Sequence, residues 1–376
     1  QTQSNTTRSK WAHIFRHSIM VSNLKPLPKE NSEKLLAWYD VNRREFPWRA
    51  APGDLPNIYH VWLSEIMLQQ TRAAAVVPYF TKFIHQWPTL DTLAKAPREK
   101  ILHSWAGLGY YARARNLHAC AQAVIERYNG SFPCNIKELR SLPGVGPYTA
   151  SAISAIGFNI PTTVIDANVE RILARLFTIE RPLPQARKTI AQAALKIFPK
   201  ERPGDFAQAM MDLGAQICTP KKPICNQCPW SVGCKAHASG TPGLWPIKKP
   251  IPAKAIRFGV VFAVRHPNGA ILLQKRPDHG LLGGMTEIIT SKWFQKPISP
   301  NEIQSHAPIS NARWSPLKAK IHHTFSHFKL ELQVYTTESR NQPTGTFWCA
   351  VEDLNSQPFP SLMRKVVLLI TSMPEK

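Results

Sequence analysis

Hydrophobic residues recur every three to four positions through the first half of the chain, a pattern typical of amphipathic helices. Separate helices are predicted by the segments SEKLLAWYDVNRREF, VWLSEIMLQQTRAAAVV, TLAKAPREKILHSWAG and YARARNLHACAQAVIERY, with proline and glycine at the breaks. Strand-like alternation is missing from residues 32–197 of the sequence. The pattern therefore predicts a mainly α N-terminal domain.

The pattern changes in the last third of the chain. FGVVFAVR and AILLQKR, separated by turn residues 266–269, predict a β-hairpin. HTFSHFKLELQVYT predicts one further strand, and SLMRKVVLLITS predicts a closing helix. Residues 235–256 are rich in proline, glycine and lysine, as an exposed linker would be. We therefore expect a smaller α+β C-terminal domain.

These patterns divide the 376 residues into four parts. We expect a disordered basic tail at 1–30, a helical domain at 31–234, the linker at 235–256 and the C-terminal domain at 257–376. The basic, acid-poor start also fits a transit peptide. No run approaches the ~18 apolar residues of a membrane span, which excludes a membrane-spanning protein, and we expect no membrane partner.

The charge balance points to a polyanionic partner. Lysine and arginine number 47 against 24 acidic residues, a formal net charge of +23. Such an excess favours phosphate neutralisation and counterion release. Charge alone leaves DNA, RNA and an anionic membrane surface open.

A helical hairpin is predicted by NIKELRSL-PGVG-PYTASAISAIG. One helix ends at Pro143, a turn follows at Gly144, Val145 and Gly146, and Pro147 begins the next helix. Free N–H groups at the start of that second helix suit a DNA phosphate. An ordinary helical hairpin is the alternative interpretation.

Several motifs together resemble a known family. The hairpin, SEIMLQQT, VIDANV and a cysteine cluster occur in the order found in helix–hairpin–helix DNA glycosylases. WYDVNRREFPWR, GLGYYARARNL and the C-terminal domain resemble the MutY-type adenine glycosylases in particular. The resemblance covers residues 31–376. It implies a helix–hairpin–helix glycosylase domain, a NUDIX-like C-terminal domain and excision of adenine paired with 8-oxoguanine or guanine in double-stranded DNA.

Four of the seven cysteines are closely spaced, in the pattern C-x6-C-x2-C-x5-C. They are Cys218, Cys225, Cys228 and Cys234. Without a secretory signal, an odd cysteine count favours reduced thiols and a metal site. The spacing alone fits either zinc or an iron–sulfur cluster. The resemblance implies a [4Fe–4S] cluster within the helical domain.

Two carboxylates are the candidate catalytic groups. Glu65 lies in an apolar helix, where partial burial would raise its pKa and suit a general acid. The resemblance implies that it protonates the adenine N7. Asp166 precedes a helix that it would cap. The resemblance implies that it stabilises the oxocarbenium-like sugar, with Asn168 orienting the site.

Two nearby positions depart from related patterns. This chain has Ala167 where the family has glycine, which bears on the local backbone geometry and not on the chemistry. Tyr148 stands where strand-nicking relatives have a nucleophilic lysine. The tyrosine predicts base removal without efficient strand cleavage, and a packing aromatic is the alternative.

The resemblance also implies residues that read the DNA. The adenine pocket would comprise Arg44, Phe46, Trp48, Arg49 and Gln208. The residues expected to enter the helix around the lesion are Gln70, Thr71, Leu108 and Tyr110. Spacing alone favours core packing for Leu108 and Tyr110. Four more residues than in the family pattern separate PWR from WLSE.

The C-terminal domain is predicted to recognise the opposite base. Phe325, Ser326 and His327 match the family loop that senses 8-oxoguanine, and a serine hydroxyl can both donate and accept. GLLGGMTEII is followed by TSKWFQKPIS, which lacks the clustered glutamates of a NUDIX hydrolase. We therefore do not expect pyrophosphohydrolase activity.

Three other functions are alternatives: a bifunctional glycosylase/lyase acting on oxidised pyrimidines, a non-enzymatic iron–sulfur DNA-binding protein, and a nucleotide hydrolase. We expect a monomeric, DNA-associated enzyme. Its location would be the cytoplasm of a bacterium, or the nucleus or mitochondrion of a eukaryote.

Overall fold

The computed structural model describes residues 29–51, 54–250 and 252–372. All but the last two residues of the predicted tail lie outside these ranges. One compact unit comprises the described residues up to Ile66 together with Phe132–Pro250. A second comprises Met67–Ser131 together with the described residues from 252 onward. The contiguous domain boundaries stay a prediction.

The first unit is mostly helical, and the second unit contains helices as well as its sheet. In chain order they are α1 (Lys29–Asn42), α2 (Ile58–Leu68), α3 (Ala73–Gln86), α4 (Leu90–Lys95), α5 (Arg98–Trp105), α6 (Ala112–Tyr128), α7 (Ile136–Ser141), α8 (Pro147–Ala152), α9 (Ala167–Phe177), α10 (Arg187–Ile197), α11 (Pro203–Gln216), α12 (Lys235–Ala238), α13 (Ile303–His306) and α14 (Ser361–Thr371). A π-helical turn at Ile153–Gly157 extends α8. None of the helices in the described ranges is long and apolar enough to span a bilayer.

Three helix predictions were wrong in their extent. The helix predicted across VWLSEIMLQQTRAAAVV is interrupted after Leu68, because Gln70 adopts a φ of 56° that an α-helix cannot contain. The next predicted helix is divided into α4 and α5 at Pro97. The first ends at Asn42, and the Arg44 N–H donates instead to the carboxylate of Asp212 at 2.9 Å.

The core of the first unit lies between α1, α9, α10 and α11. Its buried members include Leu35, Leu173, Ile190, Phe206 and Met210. Helix α11 also packs closely on the π-helical turn, since a Cβ added at Gly204 would lie 2.6 Å from the Ala155 carbonyl oxygen. This close approach brings the buried side of α11 into the site described below.

A mixed sheet dominates the second unit. Its strands are β1 (Ala255–Arg265), β2 (Ile271–Lys275), β3 (Thr286–Ile288), β4 (Ser315–Thr324), β5 (Phe328–Glu338) and β6 (Thr346–Cys349). The order is β3-β2-β1-β5-β4, with β6 paired to β2. Strands β1 and β5 are parallel, and the other pairs are antiparallel. The predicted α+β character is confirmed.

Both faces of the sheet are buried. Along β1, Val260 and Phe262 pack on one face, whereas Val261 and Ala263 pack on the other, beneath α14. The predicted hairpin and closing helix are confirmed. The single strand predicted across HTFSHFKLELQVYT was wrong, because β4 ends at Thr324 and residues 325–327 turn the chain into β5.

Side-chain contacts within the second unit join its helices to the sheet region. Arg98 pairs with Asp278 at 2.9 Å, and Lys275 pairs with Glu99 at 2.8 Å. The Arg115 guanidinium donates to the Gly283 carbonyl. These contacts join α5 and α6 to the end of β2 and to the segment between β2 and β3.

The segment expected as an exposed linker is partly packed. Residues 235–238 form α12, and Trp245 is buried. The buried guanidinium of Arg175 donates to the carbonyl oxygens of Pro242 at 2.8 Å and Trp245 at 3.2 Å. The segment is held because these carbonyls satisfy a buried cation that needs acceptors.

Candidate active site

The carboxyl of Glu65 is buried within the first unit. It projects from the apolar α2 and is 6% exposed. Its Oε2 has no hydrogen-bond partner among the described residues. Burial raises the pKa of Glu65 to about 7, and the charge of Asp166 acts in the same direction. A hydrogen bond with Tyr148 and the charge of Arg49 act oppositely. The group can therefore hold and donate a proton near neutral pH.

Asp166 is held as the N-cap of α9. Its Oδ1 accepts from the Val169 N–H at 2.8 Å, and its Oδ2 accepts from the Asn168 amide at 2.7 Å. Burial raises the pKa of Asp166, while these hydrogen bonds favour its charged form. Ala167 is the first residue of α9, and helical backbone there suits alanine.

Arg171 connects this carboxylate to the cysteine segment. It donates to Asn168 Oδ1 at 2.9 Å, to the Gly214 carbonyl at 2.7 Å and to the Cys218 carbonyl at 2.7 Å. A Cβ at Gly214 would lie 2.5 Å from the Cβ of Asn168. The close packing of α11 on α9 therefore fixes the orientation of Asn168.

The segment after α1 carries the predicted adenine pocket. Phe46 and Trp48 stack with ring centroids 4.7 Å apart and planes 8° from parallel. The guanidinium groups of Arg44 and Arg49 lie 5.0 and 5.3 Å from the Phe46 centroid. Gln208 lies on α11, where its amide donates to the Gly204 carbonyl at 3.3 Å. These side chains combine aromatic faces with polar groups. The stretch between PWR and WLSE, where four extra residues are expected, contains positions 52 and 53, which lie outside the described ranges.

Asp212 on α11 was missed by the sequence analysis. It is fully buried and accepts from both arginines of this pocket. Burial raises the pKa of Asp212, but the hydrogen bonds and charge of Arg49, together with Arg44, outweigh burial and lower it. An isolated acid among the apolar residues of FAQAMMDLGA is a usable signal, because a buried carboxylate requires a partner.

In the second unit, Arg113 anchors the two loops predicted to enter DNA. Its guanidinium donates to carbonyls at Met67 and Gln69, both at 2.6 Å, and to the Thr71 hydroxyl at 3.1 Å. It also donates to carbonyls at Leu108 and Gly109 at 3.2 and 3.1 Å. Sequence analysis missed this arginine, although a cation on the buried side of α6 signals such a role.

The tips of these loops differ in exposure. Gln70 is exposed, and Tyr110 is 45% exposed with a φ of 49°. Leu108 is buried at 7% exposure, as core packing predicts. The Thr71 hydroxyl is bound to Arg113. Gln70 and Tyr110 thus present their side chains at the surface of the second unit.

Tyr110 meets the turn between β4 and β5. Its hydroxyl and that of Ser326 lie 2.7 Å apart. Beside Ser326, Phe325 stacks on Trp293 with centroids 5.5 Å apart, which anchors the turn. Ser326 and His327 are exposed. The structure therefore brings a predicted helix-entering residue together with the predicted opposite-base reader.

The hairpin between α7 and α8 has the predicted form. Gly144 adopts a φ of 75°, Gly146 is the N-cap of α8, and Pro147 is at its first turn. Val145 is buried, whereas the two glycines are exposed. A Cβ at Gly146 would meet no atom within 4 Å, so space beside this turn is open to a ligand.

The four closely spaced cysteines surround the C-terminal end of α9. Arg175 donates to Cys218 Sγ at 3.2 Å and to the carbonyls of Thr219 and Pro220 at 2.7 and 3.0 Å. Burial raises the pKa of Cys228 to about 12, and the neighbouring thiols add to this effect. In the described residues no group of three or more His, Cys, Asp or Glu has the geometry for a single metal ion.

Two family models match regions of this chain. A family model described as "HhH-GPD superfamily base excision DNA repair protein" matches residues 63–200, and a NUDIX domain model matches residues 260–369. The chain is 36% identical over 422 residues to an adenine DNA glycosylase of Homo sapiens, covering 94% of this chain and 75% of that protein.

Two further relatives extend this comparison. An adenine DNA glycosylase of Buchnera aphidicola subsp. Baizongia pistaciae is 35% identical over 311 residues, covering 81% of this chain and 83% of that protein. A solved structure of a thermostable thymine-DNA glycosylase is similar with a TM-score of 0.50 and 30% identity, covering 56% of this chain and 96% of that chain. The matched regions include α2, the hairpin and α9.

The burial of Glu65 predicts a pH-dependent gain in stability for Glu65→Gln. Between its ordinary pKa of 4.5 and about 7, the folded protein keeps a proton that the unfolded chain releases. The free energy of unfolding of the unsubstituted protein therefore falls as pH rises through this window. Glu65→Gln removes this effect, so it should be more stable by up to about 3 kcal/mol at pH above 7, and by little below pH 4.5.

Urea unfolding across this pH range measures the difference. Glu138→Gln, at an exposed glutamate of α7, is the matched control and should show no such dependence. A constant difference between Glu65→Gln and the unsubstituted protein at all pH values would contradict the role of burial.

Proposed function

This chain belongs to the adenine DNA glycosylase family, and from that premise we propose that it excises adenine opposite 8-oxoguanine or guanine in double-stranded DNA. Family membership makes it a monofunctional hydrolase of N-glycosyl bonds in base excision repair. The observation that carries the proposed chemistry is the buried Glu65 carboxyl beside Asp166 and Tyr148.

Glu65 acts as the general acid. Adenine leaves poorly as an anion, so a proton transferred to its N7 lowers the barrier to departure. A pKa of about 7 leaves a substantial fraction of Glu65 protonated at neutral pH. Its unpartnered Oε2 supports this role, because no protein group competes for the proton.

Asp166 stabilises the sugar as the bond breaks. Positive charge develops at the sugar carbon while the glycosidic bond lengthens, and a fixed carboxylate lowers the energy of that state. The hydrogen bonds from Val169 and Asn168 hold this carboxylate in place. Water then adds to the sugar carbon and releases a proton to a carboxylate. Adenine departs carrying the proton from Glu65 and leaves an abasic site.

Tyr148 favours hydrolysis over strand cleavage. Its hydroxyl hydrogen bonds to Glu65 and cannot form the imine through which an amine nucleophile cleaves the strand. The product is therefore an abasic site in an intact strand. A glycosylase/lyase is the alternative that this residue disfavours.

The extruded adenine binds near the segment after α1. The stacked pair Phe46 and Trp48 offers an aromatic surface, and Gln208, Arg44 and Arg49 supply polar groups for the base edge. The exposed side chains of Gln70 and Tyr110 suit entry into the DNA double helix. The open turn at Gly144–Gly146 suits a backbone phosphate.

The turn between β4 and β5 reads the opposite base. Ser326 offers a hydroxyl that can donate to or accept from 8-oxoguanine, and His327 is exposed beside it. The hydrogen bond between Ser326 and Tyr110 supports a shared reading surface within the second unit.

The four closely spaced cysteines would hold a [4Fe–4S] cluster. The thiols interact electrostatically with one another, so the four side chains lie in one neighbourhood. Four thiolates fit either zinc or an iron–sulfur cluster, and the match to the base excision glycosylase family supports the cluster. Arg175, which donates to Cys218 Sγ, would stabilise thiolate charge. When bound, the cluster would hold residues 218–234 together beside Lys221, Lys222 and Lys235, whose charges would face DNA.

The first prediction from the proposed function concerns catalysis. Glu65→Gln should lower the single-turnover rate of adenine release from an A:8-oxoguanine duplex by about 10²–10⁴-fold, because the proton donor is lost. Asp166→Asn should lower it by about 10²–10³-fold. Strand cleavage should require alkali. Glu138→Gln serves as the control. Binding of this duplex by the wild-type protein without release of adenine would contradict the proposal. Borohydride trapping of an imine between protein and DNA would favour the glycosylase/lyase alternative.

The second prediction concerns the opposite base. Ser326→Ala should reduce the preference for A:8-oxoguanine over A:G about tenfold, because a hydrogen bond to the oxidised base is lost. Competing single-turnover rates on the two duplexes measure it. Ser305→Ala, which removes an exposed hydroxyl from α13, should leave the preference unchanged. An unaltered preference in Ser326→Ala contradicts the reading role.

The third prediction concerns the metal. Protein purified without oxygen should contain iron and acid-labile sulfide, about four of each per chain. Cys228→Ser should lower both, whereas Cys134→Ser, at an exposed cysteine elsewhere, should not. Stoichiometric zinc without sulfide would refute the cluster.

A further inference from the structure

We propose that Asp212 is a positioning residue for adenine excision, which holds Arg44 and Arg49 in the base pocket and offsets the charge of Arg49 near Glu65. The inference rests on the proposed function of Glu65 and the pocket. It assigns a role to a carboxylate that takes no direct part in the proposed chemistry.

Asp212 is hydrogen bonded to both arginines of the predicted pocket. Its Oδ1 accepts from Arg44 Nε at 2.7 Å and from Arg49 Nη2 at 2.9 Å. Its Oδ2 accepts from Arg49 Nη1 at 2.7 Å and from the Arg44 backbone N–H at 2.9 Å. One carboxylate thus receives four hydrogen bonds from two residues, including a bidentate pair with Arg49.

These contacts also order the aromatic surface. Arg49 donates to the Arg44 carbonyl at 2.7 Å, and both guanidinium groups lie over Phe46. Phe46 in turn stacks on Trp48. Asp212 therefore fixes a stack of two cations and two rings against α11, and a base entering the pocket meets a surface already in place.

The ion pair has little contact with solvent. The Asp212 side chain is 0% exposed and that of Arg49 is 6% exposed. Water screens such charges weakly. If Asp212 became neutral, the positive charge of Arg49 would remain in the site with a stronger effect on its neighbours. Such an effect reaches Glu65, since Glu65 and Arg49 interact electrostatically.

Three groups on different elements face Glu65. Tyr148 from α8 hydrogen bonds to it, Asp166 at the start of α9 favours its protonated form, and Arg49 favours its carboxylate form. Neutralising Asp212 strengthens the effect of Arg49 on Glu65 and leaves the effects of Tyr148 and Asp166 unchanged. Less of Glu65 would then carry a proton at neutral pH, and the rate of adenine release would fall.

The test is the pH dependence of single-turnover adenine release. The wild-type rate should fall by half near the pKa of Glu65, about 7, as pH rises. In Asp212→Asn this midpoint should move to lower pH by about one, so the rate above both midpoints falls about tenfold. The double variant Asp212→Asn with Arg49→Gln removes both charges and should return the midpoint to the wild-type value, even with a lower maximal rate.

The matched control is Asp205→Asn, on the same helix. Asp205 pairs with Arg202 at the surface, and its loss should leave the midpoint unchanged. An unchanged midpoint in Asp212→Asn, or a shifted midpoint that persists in the double variant, overturns the inference. If Asp212→Asn does not fold, Arg49→Gln alone should raise the midpoint, and an unchanged value would overturn the inference. No adenine release by the wild type would instead overturn the proposed function.

Discussion

The buried carboxyl of Glu65 is the constraint around which the first unit is arranged. A carboxyl in an apolar helix keeps its proton near neutral pH only if water and strong cations are kept from it. The apolar neighbours on α2 exclude water, and Asp166 adds a like charge. Arg49 opposes both, and its pairing with Asp212 is what permits a cation to remain in the site. The pKa of Glu65 therefore depends on side chains from several parts of the first unit.

Buried arginines organise both units in a common way. Arg171 and Arg175 in the first unit, and Arg113 in the second, each spread several N–H donors over backbone carbonyls from separate segments. A planar guanidinium suits this role because its donors point outward in fixed directions. Each of these residues thereby joins segments that lie apart in the sequence.

Much of the fold and of the site follows from local sequence. Periodicity predicted the helices, the β1–β2 hairpin and the closing helix, and PGVG between helical patterns predicted the hairpin turn. The helix break at Gln70 was missed, since helix-favouring residues surround it and the Arg113 guanidinium that binds the Met67 and Gln69 carbonyls there lies far along the chain. Asp212 was missed for the same reason, because its partners lie some 165 residues away. The turn at Ser326 was missed because its residues suit a strand equally well.

The loops tipped by Gln70 and Tyr110 share the guanidinium of Arg113 as a common anchor. Local opening that frees Arg113 from one loop leaves a buried cation with too few acceptors, which favours release from the other. The two loops thus form one cooperative unit of local unfolding. Their amide protons would exchange with solvent through one shared opening, although some 40 residues of chain separate them.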